Sequence, residues 1–305
     1  MAYRYVELHA RSAFSFLEGS SVPEELAETC QGLDMPAMAL VDRNGVYGAP
    51  RFHMAAAKVG VKAHVVSEMT CTNGRTYPLL VESRQGYQNL CRLITRMKLR
   101  AKKGEGAATL EELADFAKGL ICLTSHPDEK LIDVFGRRNV FAEIQRHRNR
   151  DQEAHNQATV DQARRLGISV VASNGVSYAT PQQRQLLDVF TCIRNHTTLA
   201  AAGRLLERNS QRYLKTAEEM NRLFSDLPDA IANTLEISSR LEFTLSNLGY
   251  EFPSYMVPEG HTMMSYLRKL ADEGARKRYR PYHERARTQI EHECGFRRCE
   301  WAVPT

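Results

Sequence analysis

Histidine and carboxylate side chains recur in the first 180 residues at the points where predicted strands end. His9 and Glu18 follow the first predicted strand, Glu68 ends the third, and His126 follows the fifth. A parallel barrel gathers the carboxyl ends of its strands at one face, so these side chains are expected to lie together. Imidazole and carboxylate groups hold metal ions, which lower the pKa of a bound water and clamp a phosphate. The set therefore indicates a multinuclear metal hydrolase, although any single histidine is better explained as an ordinary hydrogen-bonded residue.

Other residues near the same strand ends both extend and weaken this interpretation. Further polar candidates at strand ends are Glu7, Asp42, Glu143, Gln145, His147, Asn174 and Ser177. Against a metal site stand three cations, Arg11, Arg43 and Lys98. Unpaired cations repel the ions that a metal pocket must hold, so their presence favours a pocket without metal.

Alternating short strands and helices are predicted for residues 1–180, and they must position these side chains. Seven runs rich in β-branched or apolar residues are predicted strands, at 5–9, 37–42, 63–68, 77–82, 120–124, 140–145 and 169–172. Helical patterns lie between them, and residues 100–108 form an exposed linker. This alternation predicts parallel strands with crossover helices, and seven strands favour a closed α/β barrel over a two-domain open sheet.

Residues 181–305 are predicted to be mostly helical, and a second structural unit is expected to begin around residues 181–200. Late in this part, eight cations crowd together: Arg268, Lys269, Arg276, Lys277, Arg278, Arg280, Arg285 and Arg287. Such a cluster can neutralise the phosphates of DNA, with the centre of the predicted contact at Arg276, Lys277, Arg278 and Arg280. The alternative is a solvated helix face. After Glu293 the amphipathic pattern stops, and residues 294–305 are interpreted as an aberrant tail, from truncation, a frame change or a frayed terminus.

Composition excludes several classes of protein. The seven cysteines are scattered and form no Cys-x-x-Cys pair, so a disulfide framework or a structural zinc site is not expected. No apolar run approaches the roughly 20 residues of a membrane helix, and the start of the chain lacks a signal peptide pattern. A cytoplasmic protein without a membrane partner is expected. The net charge of +5 identifies no partner by itself.

Several ordered motifs resemble the amino-terminal region of bacterial C-family DNA polymerases, which begins with a PHP domain. Residues 7–19 (ELHARSAFSFLEG) resemble its first motif, in which a His-x-His pair precedes an aromatic-Ser-x-Leu-Asp-Gly stretch. The further matches are residues 40–48 (LVDRNGVYG), 65–68 (VVSE), 141–147 (FAEIQRH), 173–178 (SNGVSY), 224–230 (FSDLPDA), 249–253 (GYEFP) and 257–260 (VPEG). The resemblance covers about residues 3–293. The run at 46–53 (VYGAPRFH) and the lost first-motif histidine resemble the error-prone branch.

The resemblance also implies which metal ligands remain. Of about nine ligand positions, His9, Glu18, Glu68 and His126 still carry residues able to bind metal. The replaced positions are Arg11, Arg43, Lys98, Gly175 and Ser177, where a metal-binding member has His, His, His, Asp and His. We expect Arg11 and Arg43 to pair with Glu18 and Glu68, because a guanidinium can take over the electrostatic role of a metal ion. No catalytic residue is then expected in this chain.

The implied architecture is a PHP-type distorted (β/α)7 barrel over residues 1–190, followed by a smaller, mostly helical start of the polymerase region at 191–293. The implied protein is an error-prone polymerase that acts in translesion synthesis, DNA replication and repair of DNA damage. Its nucleotidyltransferase activity uses Mg²⁺ on palm carboxylates expected beyond the break at Cys294, so the chain alone is expected to be inactive. Implied partners are DNA, translesion accessory proteins and a sliding clamp. The alternative is an active PHP phosphoesterase or 3′–5′ exonuclease, with Zn²⁺ or Mn²⁺.

Overall fold

In a computed structural model that describes residues 4–248 and 255–300, seven strands form one sheet. The order of the strands in the sheet is their order in the chain. The strands are β1 Glu7–Ala10, β2 Ala37–Arg43, β3 Lys62–Thr70, β4 Thr76–Val81, β5 Leu120–Thr124, β6 Val140–Gln145 and β7 Val170–Ser173. Each predicted strand is confirmed, with its ends shifted by no more than two residues.

The sheet curls into a nearly closed barrel. Ala10 at the end of β1 pairs in parallel with Val176, which follows β7. The Arg11 amide donates to the Val176 carbonyl at 2.8 Å. First and last strands therefore meet, and the predicted α/β barrel is confirmed.

One strand departs from the predicted all-parallel order. β4 runs antiparallel to both β3 and β5, whereas the other neighbouring pairs are parallel. Only residues 71–75 connect β3 to β4, and Gly74 adopts a φ of 78° in this turn. A connection this short cannot carry a crossover helix, so the chain must reverse direction. The expectation of parallel strands throughout was wrong at this position.

The helices cover the barrel and continue beyond it. They are α1 Pro23–Gly32, α2 Ala49–Val59, α3 Arg84–Arg100, α4 Leu110–Phe116, α5 Glu129–Phe135, α6 Arg150–Leu166, α7 Arg184–Arg194, α8 Leu199–Ala202, α9 Ala217–Leu223, α10 Pro228–Arg240, α11 Met263–Arg278 and α12 Glu284–Glu300. The capping boxes that begin α4 and α9 pair Thr109 with Glu112 and Thr216 with Glu219. Each box satisfies two amide groups that a helix start otherwise leaves unpaired. None of the described helices is long and apolar enough to cross a membrane.

The barrel interior is filled by alternate residues of all seven strands. Examples are Val6 and Leu8 around β1 and Ile121 and Leu123 in β5, all buried in one cluster. Ile237 of α10 belongs to the same cluster. Glu68 lies two residues beyond Val66 on β3 and therefore shares its interior face, nearer the carboxyl end of the strand.

α10 packs on the barrel at the end where β1 and β7 begin. The Val6 amide donates to Thr234 Oγ1 at 3.3 Å, and Asn233 Nδ2 donates to the Val170 carbonyl at 2.7 Å. The chain divides into two compact units, residues 1–248 and 249–305. The helices after residue 190 thus pack with the barrel as far as Leu248. The assignment of residues 191–293 to a polymerase region stays a prediction.

The second unit contains α11 and α12. Arg268 on α11 lies 3.6 Å from Glu291 on α12, and both Ala275 and Ala286 are buried. α12 continues to Glu300, so the change of sequence pattern after Glu293 does not end the helix. A helical backbone can continue without an amphipathic pattern because its hydrogen bonds are internal. The rest of the predicted tail, residues 301–305, lies outside the described residues.

Candidate functional site

A cavity of about 440 Å³ lies where several strand ends meet. It brings together His9, Glu18 and Glu68 of the predicted set, together with the replaced positions Arg11, Arg43 and Ser177. Glu143, one of the further strand-end candidates, also lines it, together with three charged side chains that the sequence analysis did not name as candidates: Arg194, Glu207 and Arg212. The carboxyl-end rule for barrels therefore located the cavity correctly, but it did not give the full set of charges.

His9 is held between two carboxylates. Its Nδ1 lies 2.8 Å from Glu143 Oε1, and its Nε2 lies 3.6 Å from Glu68 Oε1. The side chain is only 5% exposed. Burial alone lowers the pKa of His9, but the Glu143 and Glu68 carboxylates outweigh burial and raise that pKa to about 9. His9 is thus a cation at neutral pH and acts as an ion-pair partner for both carboxylates.

Arg11 occupies the position next to Glu68. Its Nη2 lies 2.6 Å from Glu68 Oε1, and Thr76 Oγ1 donates to the same oxygen at 3.3 Å. Burial by itself raises the pKa of Glu68, but Arg11 and His9 hold that pKa well below its usual range. Glu68 is ionised and its charge is already neutralised by protein cations. Arg11 was predicted to pair with Glu18 or Glu68, and the structure pairs it with Glu68.

Glu18 is shared by two arginines. Arg43 Nη1 forms an ion pair with Glu18 Oε1, as predicted, and Arg194 Nη1 lies 3.3 Å from the same oxygen. Arg194 is the last residue of α7 and follows Glu18 by 176 residues in the chain. No local sequence signal connects the two, so the contribution of Arg194 could be found only in the folded barrel.

Glu143 joins the base of the cavity to β7. Its Oε1 accepts hydrogen bonds from Gln145 Nε2 at 3.1 Å and from Ser173 Oγ. Burial alone raises the pKa of Glu143, but the neighbouring His9 outweighs burial. The pKa of Glu143 therefore lies below its usual value. The place of Glu143 in the second half of β6, two residues before the strand ends at Gln145, was a usable sequence signal.

Gly175 has a backbone reason for being glycine. Its φ is 53°, and a Cβ there would lie 2.3 Å from Gln145 Oε1. An aspartate at this position would need both a strained backbone and a displaced Gln145. Arg212 Nη1 donates to the Gly175 carbonyl at 3.3 Å and thereby brings another cation to the cavity. Gly175 thus leaves room for the Gln145 side chain and offers its carbonyl to Arg212.

Two predicted site residues lie elsewhere. His126 bonds to Ser125 Oγ at 3.0 Å and contacts the His155 ring at 4.6 Å between centroids. Burial and then the neighbouring His155 lower its pKa. Lys98 lies on α3, with its Nζ 4.6 Å from the centre of the Tyr47 ring. Neither residue lines the cavity.

The donor set does not fit a multinuclear metal centre. Across the described residues, no group of three or more His, Cys, Asp or Glu side chains is arranged to hold a metal ion. The guanidinium groups of Arg11 and Arg43 contact Glu68 and Glu18, which would otherwise be free to bind metal cations. The cavity can neutralise carboxylates and present arginine donors, but its residues are not arranged to activate a metal-bound water.

The predicted DNA-binding residues lie in the second unit. Arg276, Lys277 and Arg278 end α11, and Arg280 follows two residues later; all four are exposed. Their exposure agrees with a DNA contact and equally with a solvated helix end.

Comparison with known proteins identifies the family of the barrel. The family model described as PHP domain matches residues 7–166. Similar curated proteins named error-prone DNA polymerase come from Bdellovibrio bacteriovorus (33% identical, 95% of this chain, 29% of the relative), Pseudomonas savastanoi pv. phaseolicola (36%, 92% and 28%) and Mycolicibacterium paratuberculosis (36%, 95% and 30%). The chain spans less than a third of the length of these relatives.

Solved structures are more distant. A Bifidobacterium adolescentis structure assigned as a metal-dependent phosphoesterase is 12% identical, with a TM-score of 0.42, over 56% of this chain and 87% of its own. A lesion-specific endonuclease from Pyrococcus furiosus is also 12% identical, with a TM-score of 0.38, over 58% of this chain and 49% of its own.

Proposed function

The chain belongs to the PHP domain family, and we propose that it acts as the amino-terminal region of an error-prone DNA polymerase, with its barrel serving as a metal-free scaffold. The observation that carries the scaffold role is the pairing of Arg11 with Glu68 and of Arg43 with Glu18. These contacts neutralise the carboxylates that metal ions would need. The barrel then provides a rigid, charge-balanced support instead of a hydrolytic centre.

Metal analysis of the purified chain tests the scaffold role. We expect less than one tightly bound Zn²⁺ or Mn²⁺ per chain after desalting, and no phosphodiesterase activity with either ion added. Retention of two or three ions per chain, with hydrolysis that a chelator abolishes, would instead support the active phosphoesterase or exonuclease. The double variant Arg11→His/Arg43→His is a useful comparison, because it restores two imidazoles next to Glu68 and Glu18.

The polymerase activity is a proposal for the whole protein. Template-directed synthesis requires carboxylates that bind Mg²⁺, and we propose that the whole protein carries them outside the residues of this chain. We expect no primer extension by this chain alone. Template-dependent extension by this chain would overturn that assignment. Translesion accessory proteins and a sliding clamp are the proposed partners, and repair of bacterial DNA in the cytoplasm is the proposed setting.

A second proposed role is DNA contact by the exposed end of α11. Arg276, Lys277, Arg278 and Arg280 are exposed cations within a five-residue stretch. Contacts to phosphate release counterions, so DNA affinity should fall steeply as salt rises. Replacing all four with glutamine should reduce both the DNA affinity and its salt dependence. Arg164→Gln, which removes an exposed arginine paired with Asp161 on α6, should change neither. Equal DNA binding by the quadruple variant would indicate a solvated helix end.

A further inference from the structure

We propose that a second cavity, beside α9, binds a small organic monocarboxylate. The cavity measures about 310 Å³, and the lining residues that bear on its chemistry are Arg148, Tyr213, Lys215, Glu219, Arg222 and Leu223. None of its lining residues also lines the cavity at the strand ends. The proposed ligand site is therefore separate from that cavity, and it does not depend on the scaffold role of the barrel.

Lys215 places a buried ammonium group at this second cavity. The residue is only 4% exposed, and its Nζ donates to Asn174 Oδ1 at 3.2 Å and to the Gln211 carbonyl. The centre of the Tyr213 ring lies 4.1 Å from the same nitrogen. These partners are all neutral, and no carboxylate among the described side chains forms a direct ion pair with Lys215. Buried charges in proteins are normally paired, so an anion in the cavity would supply the missing partner.

Donor groups remain available for such an anion. An ammonium carries three N–H donors, and the two hydrogen bonds of Lys215 use two of them. Arg148 also lines the cavity, is exposed, and forms no ion pair with any side chain that the structure describes. Its planar guanidinium can bind a carboxylate through two parallel hydrogen bonds. One buried donor and one exposed guanidinium therefore border the same cavity.

The surrounding charges favour a singly charged ligand. Two carboxylates and two arginines act on the charge of Lys215 in opposite directions, namely Glu219, Glu7, Arg148 and Arg212. Arg212 also pairs with Glu207 at 3.0 Å. Arg222, on the cavity wall, pairs with Glu218 at 2.7 Å. The site therefore has little excess positive charge, and Glu219 on its wall would repel a phosphate dianion more strongly than a carboxylate.

The size of the cavity and its apolar wall indicate a short organic tail on the ligand. A volume of about 310 Å³ is at the lower end of the range for small-ligand sites. Leu223 and the ring of Tyr213 contribute apolar surface to the lining. The Tyr213 hydroxyl already donates to Glu219 Oε1 at 2.7 Å, which leaves the ring as the surface for the ligand. The expected class is a short-chain or branched monocarboxylate.

Titrations followed by amide NMR spectra of the full, isotope-labelled chain test the proposal, with isovalerate, acetate and inorganic phosphate as probes. We expect saturable shifts at residues 211–223 and at Arg148. Isovalerate should bind about tenfold more tightly than acetate, because its additional carbons contact Leu223. Phosphate should bind more weakly than isovalerate. The proposal is overturned if isovalerate gives no saturable shifts at these residues, or if phosphate binds more tightly than isovalerate.

An asparagine variant tests the guanidinium at the cavity. Arg148→Asn removes the positive charge, and asparagine tolerates the φ of 54° at this position without added backbone strain. The variant should weaken isovalerate binding about tenfold, roughly the value of one charge-assisted hydrogen bond. The matched control Arg164→Gln removes an exposed arginine paired with Asp161 on α6 and should leave the affinity unchanged. Equal affinities of the two variants would contradict the proposed site.

The dependence of binding on pH tests the role of Lys215. Burial lowers the pKa of Lys215 to about 8, so the affinity for isovalerate should be steady below that pH and should fall above it. Lys215→Met should bind isovalerate more weakly and should lose this decline. The other charged or titratable groups around Lys215 are Glu7, Glu219, His147, Tyr213, Arg148 and Arg212. A decline of the same size in Lys215→Met would assign the effect to one of these groups and overturn the proposal.

Discussion

At the scale of single residues, cationic side chains pair with the carboxylates that line the cavity. Arg11 and His9 neutralise Glu68, and Arg43 and Arg194 neutralise Glu18. A guanidinium suits this task because it stays charged and matches the geometry of a carboxylate. The buried carboxylates are therefore electrostatically compensated by side chains of the fold itself.

Arg11→Met should destabilise the chain strongly. Glu68 is only 5% exposed, so loss of its partner would leave a buried charge incompletely paired. Loss of one partner of a buried pair costs about 3 kcal/mol or more in unfolding free energy. Chemical denaturation measures this change, and adding Glu68→Gln to the variant should recover part of it. Arg164→Gln, at an exposed pair, should cost no more than about 0.5 kcal/mol. An unchanged midpoint for Arg11→Met would contradict the role of the pair.

Stability should fall as pH rises from about 6.5 to about 9. The pKa of His9 is raised from 6.5 to about 9 in the fold, so the folded chain binds this proton more tightly than the unfolded chain. The contribution is complete below about pH 6.5 and is lost as pH rises through 9; it amounts to roughly 3 kcal/mol. Denaturation across this pH range should show a shallower decline for His9→Gln than for the parent chain. Parallel pH profiles of the two chains would exclude His9 as the source.

At the scale of elements, two features set the geometry of the cavity. The short connection between β3 and β4 reverses the chain and places Thr76 beside Glu68. α7 returns to the barrel mouth and supplies Arg194. At the opposite end, α10 contributes Ile237 to the barrel interior. The site therefore depends on helices beyond the seven strands and their crossovers.

Ile237→Ala should cost about 2 to 5 kcal/mol of unfolding free energy. Ile237 is fully buried among residues of the strands, and truncation would leave a cavity. The matched control on the same helix is Glu236→Ala, at an exposed position, which should change stability by less than about 0.5 kcal/mol. Equal effects of the two substitutions would show that α10 does not complete the barrel core.

At the scale of the whole molecule, the barrel and the helices as far as Leu248 form one compact unit, and residues 249–305 form another. The family match ends at residue 166, which is well before this boundary. The segment between them includes α7 and α10, whose side chains line the cavity and fill the core. The region with PHP-type sequence is thus smaller than the unit that holds the site together.

Truncation distinguishes these boundaries. A chain of residues 1–248 should unfold in a single cooperative transition, because it keeps every residue of the three core clusters. A chain of residues 1–190 should fail to fold, since it lacks α10 and Arg194. Circular dichroism during thermal unfolding measures both outcomes. A cooperative transition for residues 1–190 would instead support the predicted domain boundary near residue 190.

The sequence by itself determined the strands, the barrel and part of the site. Runs of apolar residues gave all seven strands because burial constrains each strand locally. The strand-end rule placed His9, Glu18, Glu68, Arg11 and Arg43 at one cavity, and charge complementarity predicted that the two arginines pair with Glu18 and Glu68 but not which arginine contacts which glutamate. Local physics was sufficient for these features.

Only the tertiary structure decided the remainder. The roles of Arg194 and Arg212 depend on contacts between distant parts of the chain, whereas the reversal of β4 was already implied by a connection too short to cross the sheet. His126 and Lys98 were placed by motif position, yet their side chains make other contacts. Sequence spacing predicts which residues share an element. The direction of a side chain and its partners across the fold depend on how the elements pack.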